Sequence, residues 1–357
     1  MIRTAVIGLG KAAEQLHLPA CARIPGMRVV AGCDSDVRRR DAMRTRFAIP
    51  AVYDDAQTMI AREKPDFVIV VTPPDTHCEM VTLALENGAH VLCEKPFMQT
   101  PDQADTVIAL ADRQHKLLRV NNQYRYMATY ATPRQHIARG DYGRAYFMQC
   151  WQQMYHPNNE DATAWRADLH QSTLYEFGSH ALDLISLYFD DAIPTHVHAV
   201  IPNVHRKFTS DVLIQLTLTF PDDRMATLMF NRVSHAPERY LEMRLDCEDA
   251  SLRLSLGGIA RFSAEIGRYD GRNFPSLRVG WVRGGQTRVE QRGRSRIIAA
   301  ERSAAFASAT AAHLSEMVAM IDADNIDNAR ARHARDMLRV IFAGYESARI
   351  GKAIQLT

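Results

Sequence analysis

Ile2-Arg3-Thr4-Ala5-Val6-Ile7-Gly8-Leu9-Gly10-Lys11-Ala12-Ala13, residues 2–13, decides the reading of the whole chain. Ile2, Ala5, Val6 and Ile7 make a short apolar strand. Gly8 and Gly10 follow in the spacing G-x-G-x-x-A, with Ala13 where a third glycine is commoner. A small residue suffices there, because that position lets helix and strand approach. Backbone at such a turn can come close to a pyrophosphate, whose charge is favoured by N–H groups opening the next helix. The stretch reads as a nucleotide-phosphate site, with Gly8, Gly10, Lys11, Ala12 and Ala13 around the phosphates. About twenty residues on, the run MRVVAGCD ends in Asp34, a carboxylate placed to accept both hydroxyls of an adenosine ribose.

Outward from this unit, apolar runs alternate with amphipathic ones as far as residue 122, the signature of βαβ units on a parallel, doubly wound sheet. A helix over 12–24 ends at Pro25 and Gly26, and Met27–Cys33 is the second strand. A helix follows over 36–47, with Asp34 or Ser35 as N-cap. DFVIVVT, residues 66–72, is apolar on both faces, as expected under helices on both sides. HVLCEKP and LLRVNN are further strands with their exits. Ligand groups on such sheets lie at the carboxyl ends of strands. Gly8, Asp34, Thr72, Glu94, Lys95 and Gln123 all fall there.

After residue 123 the pattern changes. RAYFMQCWQQ is strand-like, residues 174–189 are apolar at helical spacing, and HVHAVIPNV, DVLIQLTLTF, MATLMFNRV, RYLEMRLDC and SLRLSL alternate with turns. The expectation is an α+β domain over 123–357 with a large, mainly antiparallel open sheet, helices over one face and two long C-terminal helices packing back on the first domain, 1–122. LRVGWVR and QTRVEQR, separated by Gly284 and Gly285, read as a projecting hairpin.

The formal net charge is +2, with no basic run longer than Arg38–Arg40, which disfavours nucleic acid. No apolar stretch approaches the length of a membrane span. A strand beginning at residue 2 leaves no room for a signal peptide, so a cytoplasmic protein is expected. The cysteines, six in number, lack C-x-x-C spacing and read as reduced apolar residues, with no metal site.

GLGKAAEQLHLPA, TPPDTH, CEKP, and WR ahead of YEFGSHALD, in this order, resemble the glucose–fructose oxidoreductase, inositol dehydrogenase and MocA-like family. The terminal ARDMLRVIFAGYESARIGKAIQL is similar to that family's closing helix and strand. The resemblance implies an N-terminal Rossmann domain and NAD held against a second domain, with NADP also possible. It implies that Lys95 reaches both substrate hydroxyl and nicotinamide ribose and that His180 is the general acid/base. Glu176 stands where the family often has aspartate. Thr72, Pro73, His77 and Glu94 fall in the cofactor loops, Trp165 and Arg166 match a pair reaching towards the cofactor, and Gln123 and Arg125 join the cofactor and substrate pockets.

Independent chemistry agrees on the roles. At i and i+4 of a helix, Glu176 and His180 share one face, and an imidazole can take a proton from an alcohol as hydride leaves its carbon. Asp34 favours NAD by repelling a 2′-phosphate, while Ser35 and Arg38–Arg40 leave NADP open. Departures from the family pattern fall beside the reacting carbon: His170, Gln171 and Ser172 replace a glycine run, and Glu176 adds a methylene. The expected function is hydride transfer between nicotinamide and a secondary alcohol or ketone of a sugar, cyclitol or sugar-derived metabolite. The alternatives are glycoside cleavage by oxidation, elimination and re-reduction, or a non-catalytic NAD-binding regulator. A homo-oligomer, dimer or tetramer, through the C-terminal sheet is expected.

Overall fold

The computed structural model describes residues 1–155, 171–204, 208, 210–236, 238–269, 272–301 and 305–356, with backbone alone over 257–284. The apolar runs of the first third form β1 (Ile2–Ile7), β2 (Met27–Cys33), β3 (Ala51–Tyr53), β4 (Phe67–Val70), β5 (His90–Cys93) and β6 (Leu118–Val120). They lie in the order β3-β2-β1-β4-β5-β6, every neighbouring pair parallel. Phe67, Val68, Ile69 and Val70 are all fully buried, because helices cover both faces. The order reverses between β1 and β4, which opens a crevice above the carboxyl ends of the strands.

The covering helices are α1 (Leu18–Cys21), α2 (Val37–Phe47), α3 (Ala56–Glu63), α4 (Pro74–Glu86) and α5 (Pro101–Arg113). Asp36, not Asp34 or Ser35, caps α2 by accepting the Arg38 N–H at 2.8 Å. Asp34 is drawn elsewhere: its carboxylate accepts the Leu9 N–H in the glycine turn.

The second sheet comprises β7 (Ala145–Gln153), β8 (His196–Val200), β9 (Leu213–Thr219), β10 (Met225–Asn231), β11 (Arg239–Cys247), β12 (Ser251–Tyr269), β13 (Arg272–Gln291), β14 (Arg294–Ala300) and β15 (Ile354–Gln355). Its order is β14-β13-β12-β11-β7-β10-β9-β8-β15. It is antiparallel except where β10 runs parallel to β7. Strands alternate: in β10, Ala226, Leu228 and Phe230 are buried while Met225 and Met229 face outward. The inner face carries α6 (Ala128–Ala138), α7 (Gly178–Tyr188) and part of α9 (Ala329–Ile350).

The expected hairpin turn at Gly284 and Gly285 is not there. Both glycines lie inside β13, paired with Gly257 and Leu256 of β12. A Cβ on Gly285 would meet Thr129 Oγ1 at 2.5 Å, so this glycine serves the close approach of α6 rather than a turn.

α8 (Ala305–Asp322) packs against α1, where Arg23 donates to Ser308 Oγ at 2.7 Å. Asn328 pins the start of α9 to the first sheet, its Oδ1 accepting the Leu118 N–H at 2.8 Å. Among the described residues no helix is long and apolar enough to cross a membrane.

Candidate active site

One cleft of about 2130 Å³ runs from the glycine turn to the junction with the second sheet. That exceeds the roughly 300–1,000 Å³ of ordinary small-molecule pockets, which leaves room for more than one small molecule. At its first end, β1 turns at Gly8 with φ +92°, and a Cβ there would lie 2.5 Å from Val71 O. Only glycine fits that contact. Gly10 is the opposite case: a Cβ there would meet no protein atom within 4 Å, leaving an open cradle beside Lys11 and Ala12, which also line the cleft. Ala13 is fully buried and begins the π-helical turn Ala13–His17 that runs into α1. Asp34 Oδ2 accepts the Leu9 N–H at 2.8 Å and Oδ1 accepts the Asp36 N–H at 2.9 Å. This clamp fixes the turn while Asp34 still faces the cleft, with Arg39 Nη1 3.8 Å from Oδ2.

Thr72 and Pro73 line the next section. Thr76 Oγ1 donates within 2.8 Å of Thr72 Oγ1 and 2.9 Å of Pro73 O, which stiffens the exit of β4. His77 does not line the cleft, contrary to its expected cofactor contact. Its Nε2 faces Thr72 O at 2.8 Å and its Nδ1 faces Pro96 O and Phe97 O at 3.0 and 3.1 Å. It therefore ties together the two strand exits that carry Thr72 and Lys95. Burial lowers its pKa against the pull of those carbonyl oxygens.

Glu94 ends β5 and lines the cleft. Its carboxylate meets His17 Nε2 at 2.7 Å, accepts from Asn121 Nδ2 at 2.7 Å, and accepts the Lys95 N–H at 3.0 Å. Burial raises its pKa, but His17, Asn121 and Lys95 outweigh burial and hold it at about 2. It stays ionised across the physiological range. Half-buried Lys95 sends Nζ to Glu176 O at 3.3 Å, 5.6 Å from the Phe177 ring centroid.

His180 stands on α7, which follows the π-helical turn Thr173–Phe177. The start of that turn is capped from a distance: Asp211 accepts the N–H groups of Ser172, Thr173 and Leu174 at 2.6, 2.9 and 3.1 Å, and Tyr345 O–H at 2.7 Å. The α-helical spacing expected for Glu176 and His180 fails here. The extra residue of a π-turn rotates the register, so Phe177, not Glu176, lines the cleft with His180. The Glu176 side chain is buried, and its main-chain oxygen accepts from Lys95 Nζ.

His180 is 6% exposed and lines the cleft, with Nδ1 buried and without a hydrogen-bond partner among the described residues. Its ring stacks on Tyr124 at 3.9 Å and 4°. Burial above all, then Lys95, pushes its pKa well below the usual histidine value, with Glu94 opposing. At neutral pH it is a base.

Gln123 also lines the cleft, with Oε1 buried and unpartnered among the described residues. Arg125 does not line it, against the expected substrate contact. Its Nε donates to Asp183 at 2.7 Å and its Nη1 to Asp191 at 2.8 Å, which braces α7 and consumes the guanidinium. Burial lowers the Arg125 pKa, but those carboxylates raise it further. Trp165 and Arg166 lie outside the described residues. Tyr124, Phe177, Tyr240 and Phe306 line the cleft at its His180 end and are not singled out by sequence analysis. Only Tyr124 and Phe177 offered a signal, as aromatic neighbours of residues that were singled out.

Residues 2–122 match the oxidoreductase family described as having an NAD-binding Rossmann fold, and residues 130–253 match the GFO/IDH/MocA C-terminal domain. The chain belongs to the GFO/IDH/MocA oxidoreductase family. It is 33% identical to a D-glucoside 3-dehydrogenase of Escherichia coli over 41% of each chain. It is 26% identical to a D-apiose dehydrogenase of Paraburkholderia graminis over 75% of this chain and 70% of that one. The match thus spans well under two thirds of the glucoside dehydrogenase. In fold, the chain resembles an Agrobacterium radiobacter oxidoreductase solved with NAD+, L-tartaric acid and magnesium (TM-score 0.82, 17% identity, 99% and 98% of the chains). A myo-inositol 2-dehydrogenase of Lactobacillus plantarum is similar in fold (TM-score 0.78, 18% identity, 100% and 99%).

As a GFO/IDH/MocA protein, the chain is expected to hold NAD, and its residues fit the group. Gly8 and the open cradle at Gly10 accommodate a diphosphate, and the orphaned Gln123 Oε1 offers an acceptor in the same cleft.

Proposed function

We propose that this protein is an NAD(H)-dependent oxidoreductase for a secondary alcohol or ketone of a sugar, cyclitol or sugar-derived metabolite. The observation that carries the reading is one continuous cleft with Gly8, Gly10 and Asp34 at one end and Lys95 and His180 at the other. When bound, the nicotinamide supplies the hydride acceptor or donor. Lys95 holds the reacting oxygen by its ammonium and favours negative charge developing there. His180, kept neutral by burial and Lys95, takes the hydroxyl proton in oxidation and returns it in reduction. Thr72, Pro73, Glu94 and Gln123 support the cofactor between these ends, and Asp34 receives the adenosine ribose.

The relatives named for D-glucoside and D-apiose support a carbohydrate substrate. Asp34 supports NAD over NADP, with Arg38 and Arg39 beside it as the groups that admit a 2′-phosphate. We also propose two domains, 1–122 and 123–357, and a homo-oligomer through the outer face of the second sheet, where Trp151, Met225, Met229 and Val200 are exposed. All six cysteines are free, which supports a reducing, cytoplasmic setting.

The test is a screen of cyclic and acyclic polyols and their ketones, read by NADH absorbance. Lys95→Ala and His180→Ala are each expected to lower kcat by roughly 10²- to 10⁴-fold with folding intact. Turnover that survives both substitutions would sink the reading.

A further inference from the structure

A general-base histidine ordinarily has its far nitrogen fixed by a carboxylate or carbonyl, which sets both tautomer and ring orientation. His180 has no such partner: Nδ1 is buried without a hydrogen bond among the described residues. The expected carboxylate, Glu176, does not line the cleft and gives Nδ1 no hydrogen bond, and Asp183, one turn along α7, is taken by Arg125 and Asn122. What meets the imidazole instead is an aromatic face.

Tyr124 lies parallel to the His180 ring, centroids 3.9 Å apart and 4° between planes. Tyr124 is itself held on two sides. Its hydroxyl is 3.0 Å from the hydroxyl of Tyr240, which comes from β11 of the other sheet. Phe306, at the start of α8, meets the Tyr124 ring edge-on at 5.6 Å and the Tyr240 ring at 6.5 Å. All three aromatics line the cleft beside His180.

We infer that Tyr124 is the positioning residue for His180, orienting the imidazole by face-to-face stacking where a hydrogen-bonded carboxylate would otherwise do so, with Tyr240 and Phe306 as its clamp. The inference rests on the proposed role of His180. A parallel stack fixes the plane of the imidazole and its tilt, while leaving rotation within the plane to the rotamer of the histidine. It also orients the ring without adding a second charge next to Lys95. The ring of Tyr124 does the positioning, and its hydroxyl tethers it to Tyr240.

The experiment compares Tyr124→Leu and Tyr124→Phe, alone and combined with His180→Ala, by steady-state hydride transfer. Tyr124→Leu is expected to lower kcat roughly 10- to 100-fold, the scale of a misplaced reacting group, with KM for NAD unchanged. Tyr124→Phe retains the stack and is expected to stay within about threefold of the parent. In the His180→Ala background Tyr124→Leu should add almost nothing, because two residues acting as one unit are non-additive. A full additional loss in that background, or equal losses for Leu and Phe, overturns the inference.

A second readout needs no turnover, so it separates this inference from the proposed reaction. In histidine-labelled protein, with the His180 signal assigned by its loss in His180→Gln, the ring protons should be shifted upfield in the parent and in Tyr124→Phe. They should return downfield in Tyr124→Leu. A parent signal without that shift, or one unmoved by leucine, overturns the stacking role. Absence of NAD-linked turnover in the parent would instead count against the proposed function alone.

Discussion

The two ends of the cleft are built by different means. The glycine-turn end is mostly backbone over a few consecutive residues, Gly8 at φ +92° and Gly10 with open space before it, fastened by one side chain, Asp34, which accepts the Leu9 N–H at 2.8 Å. The His180 end is assembled from side chains far apart in the chain, with Lys95, Tyr124, Phe177, His180, Tyr240 and Phe306 meeting in one place. Backbone geometry tolerates little substitution and is legible in a short motif. Side-chain convergence depends on packing across two sheets, and its specificity is set late.

The sharpest way to break this comparison is at the two glycines. Gly8→Ala forces a Cβ to within 2.5 Å of Val71 O at positive φ, which must displace β4. A loss of about 3 kcal/mol is expected from left-handed strain plus overpacking, read by thermal unfolding. Gly10→Ala meets no protein atom and should leave the unfolding midpoint unchanged. Its methyl occupies the cradle, so NAD affinity should fall about tenfold or more, on the scale of about 1.4 kcal/mol per decade. If Gly10→Ala unfolds the protein and Gly8→Ala only weakens NAD, the assignment of the two glycines is reversed.

This difference also explains how much could be read in the sequence. The parallel sheet, the glycine turn and the strand-end positions of Asp34, Thr72, Glu94, Lys95 and Gln123 follow from local periodicity and turn chemistry, and each lines the cleft. Arg125 did not yield to the same reasoning because its partners, Asp183 and Asp191, lie 58 and 66 residues away. Glu176 sits in a π-turn where its sequence suggests α-helical spacing, and Phe177 lines the cleft beside His180. The pair at Gly284 and Gly285 looked like a turn. Nothing in that segment announces that Thr129 presses on Gly285 from α6. Tyr240 and Phe306 are invisible for a similar reason, since an aromatic in a strand or at a helix start is ordinarily core.

The next effect in size sharpens the comparison at the helix that carries His180. Asp211 lies outside both motifs, yet it satisfies the N–H groups of Ser172, Thr173 and Leu174 ahead of His180. Burial raises its pKa, and those N–H groups with Tyr345 oppose burial. Asp211→Ala strands buried donors and should cost about 1–3 kcal/mol. The loss should appear in urea unfolding together with a drop in kcat. NAD affinity should hold, because the glycine turn does not depend on this cap. Weaker NAD binding with kcat preserved would show that the two ends are not separable in this way.

The smallest effect is expected at Glu94, the residue that joins the two ends. It meets His17 at 2.7 Å, from the helical segment after the glycine turn, and it is the carboxylate that opposes the lowering of the His180 pKa by burial and Lys95. A lowered pKa keeps the imidazole in its base form to more acid pH, so the acid limb of the oxidation profile should lie below the ordinary histidine value of about 6.5. Glu94 is itself ionised down to about pH 2, so its charge is constant through that limb. Glu94→Gln removes an interaction that favours the imidazolium. The limb should therefore move to still lower pH, by less than about one unit given the distance and competing groups. A limb that moves upward in kcat/KM against pH would mean that Glu94 acts on His180 by some route other than its charge, and the electrostatic link between the two ends would be lost.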